Sequence, residues 1–464
     1  MLRLFHPHRL SRREWLWLGA LPGLAMPTLR AAPAPSGVSR ARSVLVVFAS
    51  GGQSQLETWD PKPDAPVEIR GQFGTIPTTV PGTRLGEHLP RLARLAHRYA
   101  IVRSMAHDDL DHGSACYLAL TGRFHARKSS NPLPRPTDSP ALGAIVRRLR
   151  RGDRLPYSAV QLNGPLLVPE IPSAGQYGGI LGRGHEPLAL GDVRDGASEL
   201  AGLEPRDEIP PVRLDRRRTL LQHLEQFARA LERDRAALDH DVRRRQAYEL
   251  MASPSTRALF DLSREAHSVR ERYGLHRAGQ ACLLARRLVE AGVPHITVFF
   301  NPSVRGQDKH PDQTDAYGWD THNDIFEALR DHLLPRFDQT FSVLLEDLRE
   351  RGLLESTLVL CQGEFGRAPL VAVERNFAGT TPGRKHWAGC YSLVAAGAGV
   401  VPGKVVGVSD RHAAYPVTPA FSPADLAATQ FAALGIDPHG HFFDTLDRPI
   451  VISEGDPIRA LYQG

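Results

Sequence analysis

Asp320 and His322 stand two residues apart in Gly318-Trp319-Asp320-Thr321-His322, after an apolar run and a Pro-containing loop. A carboxylate oxygen and an imidazole nitrogen at this spacing suit a hard or borderline divalent cation, although such a pair also arises by chance. Glu364 lies in Cys361-Gln362-Gly363-Glu364-Phe365-Gly366-Arg367, straight after a second apolar run. A charged residue there sits where α/β proteins reach a ligand from a strand end; the alternative is an ion pair with Arg367 on a turn. His386 follows two cations in Gly383-Arg384-Lys385-His386-Trp387. Arginine forks and lysine point charges recognise phosphate and sulfate, so Arg384 and Lys385 are candidates for holding an anion, or else belong to a surface loop.

Two further positions could supply a nucleophile or base. His112 opens His112-Gly113-Ser114-Ala115 at an expected helix N-terminus, where the helix dipole favours an anion. Asp108, Asp109 and Asp111 crowd the same stretch and could bind a cation, but helix capping is the simpler role. Ser54 sits in the turn after the first apolar run, where its hydroxyl could attack an ester or cap a helix.

These residues need a scaffold that gathers strand ends. The continuous apolar run at residues 43–49 reads as a strand buried on both faces, and further strands are expected at 100–103, 159–162, 293–300, 356–361, 391–396 and 405–408. Helical periodicity marks 87–99, 113–120, 141–149, 325–348 and 424–434. Residues 163–212 are rich in Gly and Pro and read as loops. Residues 215–292 are helical and dense in Arg and Leu, the pattern of a solvated face, and a helical insertion is expected at about 205–290. The alternation predicts an α/β fold, a doubly wound and mostly parallel sheet sandwiched by helices, as one domain over residues 43–464.

Composition excludes one class of partner. The chain has 464 residues and a formal charge of +6. Residues 1–42 hold seven arginines against the single acid Glu14, so the rest is near neutral and lacks a basic footprint for nucleic acid. Arg12-Arg13 precede a short apolar stretch, Trp15 to Met26, that ends in small residues near Ala34. This pattern is a twin-arginine leader over residues 1–34, predicting export to the periplasm or beyond. No later run reaches the roughly 18–20 apolar residues that span a bilayer. Cys116, Cys282, Cys361 and Cys390 lack metal-type spacing. Cys282 and Cys361 read as buried small hydrophobes.

Together these segments resemble a family of exported bacterial proteins catalogued as a domain of unknown function numbered fifteen-oh-one, within the alkaline phosphatase and sulfatase superfamily. The resemblance runs through the leader, Gly51-Gly52-Gln53-Ser54, Trp59-Asp60-Pro61-Lys62-Pro63, Arg103-Ser104-Met105, His112 and Thr121-Gly122. It continues through Tyr273-Gly274, Leu288 to Gly292, Gly318 to His322, Gly352-Leu353-Leu354, Gly363 to Arg367, His386-Trp387 and Gly397 to Gly403. It implies metal ligands on loops at strand ends, one or two divalent ions, and a Ser, Thr or formylglycine nucleophile. Asp320, His322 and His386 match the ligands of one ion. Glu364 matches an Asp of the other, but Phe365 replaces the His that follows it. Ser50-Gly51-Gly52 offers no Asp after the first strand, the nucleophile slot falls near His112, and the sulfatase Cys-x-Pro-Ser-Arg signature is absent.

The resulting expectation is an exported metal-dependent hydrolase of sulfate or phosphate esters, acting on a small-molecule or glycan ester. One divalent ion (Zn, Mn, Ca or Mg) would be held among Asp320, His322, His386 and Glu364. His112, Arg384 and Lys385 would act on the substrate. The alternatives are a non-catalytic protein of the same fold that binds anionic glycans, and a structural component of the envelope.

Overall fold

The computed structural model describes residues 41–150, 157–194, 254–306 and 317–463. The expected leader and residues 205–253 of the expected insertion lie outside them. Among the described residues eight strands form the central sheet: β1 (Ser43–Phe48), β2 (Ala100–Met105), β3 (Ala159–Leu162), β4 (Leu188–Leu190), β5 (His295–Phe299), β6 (Thr357–Gln362), β7 (Tyr391–Ala396) and β8 (Val405–Val406). Their order across the sheet is β8-β2-β7-β6-β1-β5-β3-β4. The first strand is therefore central and the chain winds outward on both sides of it, the doubly wound arrangement expected from the alternation of strands and helices. β1 pairs in parallel with both β5 and β6. Only β7 runs against its neighbours, pairing antiparallel with β2 and β6.

Both faces of the sheet are covered, which is why its strands read as unbroken apolar runs rather than alternating ones. Leu45 and Val47 point into a cluster with Ala281, Leu284 and Leu288 of α3 (Arg277–Glu290) and Phe337, Phe341 and Leu344 of α4 (Leu334–Glu350). Val44 and Val46 point the other way, against Ile145 of α2 (Leu142–Leu149) and Leu426 and Phe431 of α5 (Pro423–Ala433). Burying each such side chain contributes about 1.5–3 kcal/mol. The described end of the expected insertion thus includes a helix, α3, that belongs to the main core.

Three local departures have physical causes. The helix expected over 325–348 is present, but Leu329–Leu333 forms a π-turn before α4. Pro335 lies in the first turn of α4, lacks an N–H and cannot continue a regular ladder through that point. The segment 87–99 forms two short helices, Pro90–Arg94 and Ala96–Arg98, instead of one. Leu188–Leu190, within the stretch read as loop, adds the edge strand β4 beside β3. All four cysteines are buried and free, and the burial of Cys282 and Cys361 is what their apolar settings led us to expect.

Candidate metal centre

The parallel order β6-β1-β5 brings three strand ends side by side, and a ligand site in an open α/β sheet lies at such ends. The turn after β1 carries Gly51. The chain after β5 returns as Trp319-Asp320, whose amides bond to the Ser50 and Val304 carbonyls at 2.8 and 3.0 Å. Gly51 has φ of +111°, and a Cβ on it would stand 2.5 Å from the Asp320 nitrogen, so only glycine lets these two loops touch. The turn after β6 supplies Glu364 to Arg367, and Gly366-Arg367 pairs antiparallel with His386-Trp387. The fourth contributor is α1 (His112–Thr121), whose first residue is His112 and whose N-cap is Asp111. Capping was the simpler role expected of these acids.

Asp320 Oδ1 is the hub. His112 Nε2 lies 3.1 Å from it, His322 Nε2 3.2 Å and His386 Nε2 3.2 Å. The His322 and His386 Nε2 atoms are 2.8 Å apart. Donor atoms of His112, Asp320 and His386 all fall within 4.8 Å of one another, the compactness a single ion requires. Behind this group each ring is set by a partner. His386 Nδ1 donates to the Leu110 carbonyl at 2.6 Å, which leaves Nε2 as the lone-pair nitrogen of its neutral form. His112 Nδ1 faces Glu364 Oε1 at 2.5 Å. The His322 ring stacks on Phe377 with centroids 3.8 Å apart.

Charge around the hub is arranged by burial and neighbours. Burial disfavours the Asp320 carboxylate, but the His112 and Arg367 charges outweigh it and hold this acid well below the usual range. Burial alone would depress His112, yet the Asp320 and Glu364 carboxylates raise it to about 9. His386 is pushed down to about 3, by burial first and then by the His112 charge. Burial also lowers His322. The centre therefore presents a carboxylate and two neutral imidazoles beside a histidine clamped between acids.

The donor set fits a divalent ion: imidazole nitrogens and one carboxylate suit Zn²⁺ or Mn²⁺ better than the all-oxygen preference of Ca²⁺ or Mg²⁺. The His112 Nε2 atom is buried and makes no aligned hydrogen bond, the orphan expected where an ion belongs.

The structure brings Asp320, His322 and His386 together, and His112 joins them. The other expected site residues stand elsewhere. Glu364 is fully buried at the opposite edge of the His112 ring, where it also accepts the Gly51 amide at 2.9 Å. Arg384 is not available to an anion: it bonds to both Glu57 oxygens and to the carbonyls of Ile69, Ala368 and Pro369. Lys385 points outward, with its side chain 65% exposed and paired with Glu374. Ser54 is buried against Glu57. Arg367 pairs with Asp320 at 2.8 Å rather than with Glu364. Sequence reasoning missed Glu57, Phe377 and His107, whose Nε2 donates to the Glu364 carbonyl at 2.7 Å. Nothing in their spacing marked them.

Among solved structures, Ps i-CgsB is 12% identical, with 91% of this chain and 76% of that chain covered and a TM-score of 0.42. Phosphonate monoester hydrolase SpPMH from Silicibacter pomeroyi is 12% identical over 91% and 76%, with a TM-score of 0.41. The PsFucS1 sulfatase from Pseudoalteromonas sp. is 13% identical over 91% and 72%, also at 0.41. Likenesses this distant leave the chain's own residues to define its chemistry. No curated protein matches the chain. The family described as "Protein of unknown function (DUF1501)" matches residues 41–462, and the chain belongs to that family.

Proposed function

We propose that the protein is a hydrolase of sulfate or phosphate esters that depends on one divalent metal ion held by Asp320, His322 and His386. The observation that carries the reading is the convergence of imidazole Nε2 atoms on Asp320 Oδ1 at the carboxyl ends of the central strands. Bound there, such an ion supplies a Lewis acid that polarises an ester oxygen or acidifies water. The chain's own residues do the rest. Leu110 and Phe377 fix the two imidazoles, and Arg367 offsets the buried carboxylate. His386, with a side chain 20% exposed, is the most open of the four and marks the side from which a substrate arrives.

Both guanidiniums near the centre are committed to this chain's own oxygens, Arg384 to Glu57 and Arg367 to Asp320 and the Gly51 and Gly52 carbonyls. Among the described residues the ion would then be the main electrophile offered to the ester. The Arg12-Arg13 leader supports placement of the protein outside the cytoplasm. Among the described residues no helix is long and apolar enough to cross a membrane.

Elemental analysis of purified protein, joined to turnover of aryl sulfate and aryl phosphate panels, tests the reading. About one ion per chain is expected, with chelator-sensitive turnover that Asp320→Ala abolishes. A chain free of metal after zinc or manganese loading, or turnover indifferent to Asp320→Ala, overturns it.

A further inference from the structure

The spacing of the donor atoms bears on His112, the residue that stands where a nucleophile would be expected. We propose that His112 is the fourth ligand of the ion, through Nε2, and that Glu364 is the positioning residue that orients it. The proposal rests on the one-ion reading above.

Four donors arranged tetrahedrally about an ion, at bonds of about 2.0–2.2 Å, stand roughly 3.3–3.6 Å apart. Here His112, His322 and His386 Nε2 lie 3.1, 3.2 and 3.2 Å from Asp320 Oδ1, and the last two Nε2 atoms are 2.8 Å apart. These four separations fall just below that range, and His112, Asp320 and His386 form a group whose donor atoms all lie within 4.8 Å of one another. The contact between His112 and Asp320 is not an aligned hydrogen bond, since His112 Nε2 is buried without such a partner.

The opposite edge of the ring gives the second argument. Glu364 Oε1 is 2.5 Å from His112 Nδ1, so Nδ1 keeps its proton and Nε2 is the nitrogen that gives up the cation's second proton when an ion binds. A carboxylate behind a ligating imidazole fixes its tautomer and raises its basicity. Glu364 is itself held, by the Gly51 amide on its carboxylate and by His107 on its carbonyl. A nucleophilic imidazole needs its lone pair aimed at open space. The His112 side chain is only 8% exposed, and its Nε2 faces Asp320. Phe365, the residue after Glu364, lies against the His112 and His386 rings at 4.9 and 4.8 Å between centroids, so an apolar wall flanks them. Glu364 therefore serves the first ion from behind His112 instead of serving a second ion.

The test is X-ray absorption spectroscopy of the full chain loaded with zinc, together with zinc affinity measured by competition with a chromophoric chelator. Three imidazoles and one carboxylate around zinc are expected. Glu364→Gln keeps an acceptor for Nδ1 but removes its charge, and should weaken zinc binding about 10- to 100-fold. His112→Ala should weaken it at least as much and remove one imidazole from the spectrum. A wild-type spectrum with two imidazoles, or a folded His112→Ala protein with unchanged affinity, overturns the proposal and leaves the one-ion reading standing. Failure of the wild type to bind zinc or manganese overturns both. If His112→Ala does not fold, the wild-type imidazole count and the affinity of Glu364→Gln decide.

Discussion

The Arg367 guanidinium is completely buried and lies 2.8 Å from Asp320 Oδ1, the oxygen on which the three imidazoles converge. It also bonds to the carbonyls of Gly51, Gly52 and Arg384, so one planar cation joins the turn after β1, the returning loop after β5 and the approach to β7. Removing one member of a buried pair leaves an uncompensated charge, at a cost of about 3–5 kcal/mol. Arg367→Met should lose stability of that order in denaturant unfolding. Arg367→Lys should recover little of it, because an ammonium cannot reach oxygens spread around a planar fork. Wild-type stability in Arg367→Met would mean the guanidinium is incidental.

Arg384 and Lys385 are neighbours with opposite fates, and they separate a structural cation from an exposed one. Arg384→Ala strands Glu57, which is 1% exposed, and should cost about 3–5 kcal/mol. Lys385→Ala removes only a surface pair and should change stability by less than about 1 kcal/mol, with zinc affinity untouched. A loss of ester turnover in Lys385→Ala at unchanged stability would show that Lys385 meets the anion despite its pairing with Glu374.

What could be read in advance follows from how local each relationship is. Asp320, His322 and Glu364 each follow a strand that is itself visible as an apolar run, so their placement at a strand end needed no knowledge of distant partners. The sheet was legible for the same reason, since strands buried on both faces are apolar throughout. Arg384 and Lys385 were read together as a cationic pair because their sequence shows no direction. In an extended segment successive side chains alternate, so Arg384 and His386 turn inward while Lys385 faces solvent. The partner that neutralises Arg384 is Glu57, 327 residues away, and no spacing rule connects them. His112 was flagged by its place at a helix N-terminus. Its companionship with Asp320 depends on how α1 meets the end of β5, a tertiary fact with no local trace.

Gly51 offers a test of loop contact independent of charge. A methyl group there would meet the Asp320 nitrogen and the Val304 carbonyl at 2.5 Å, both backbone atoms, at a φ of +111° that side chains rarely adopt. Strain of this kind costs about 1–3 kcal/mol before any clash is counted. Gly51→Ala should therefore either fail to fold or displace Asp320, with zinc affinity falling by at least about tenfold. Normal affinity and stability would show that the loops can separate without disturbing the centre.

His295 carries a prediction about acid stability. It begins β5, far from the donor cluster in the sheet's depth, with Nε2 3.2 Å from Gln430 Oε1. Burial lowers its pKa to about 4, only partly opposed by the Gln430 bond, against an ordinary value of 6.5. The unfolded chain therefore binds a proton at this residue before the folded chain does. Stability is at its full value above pH 6.5 and declines as pH falls toward 4, below which this residue adds no further loss. A shift of this size corresponds to about 3 kcal/mol at most. Other buried histidines titrate in the same range, so the comparison must be with a variant. His295→Gln keeps a donor for Gln430 and removes the titration. Its urea-unfolding free energy should fall less steeply than that of the wild type between pH 6.5 and 4.5. Parallel slopes would mean that His295 is protonated as readily in the folded chain as in the unfolded one.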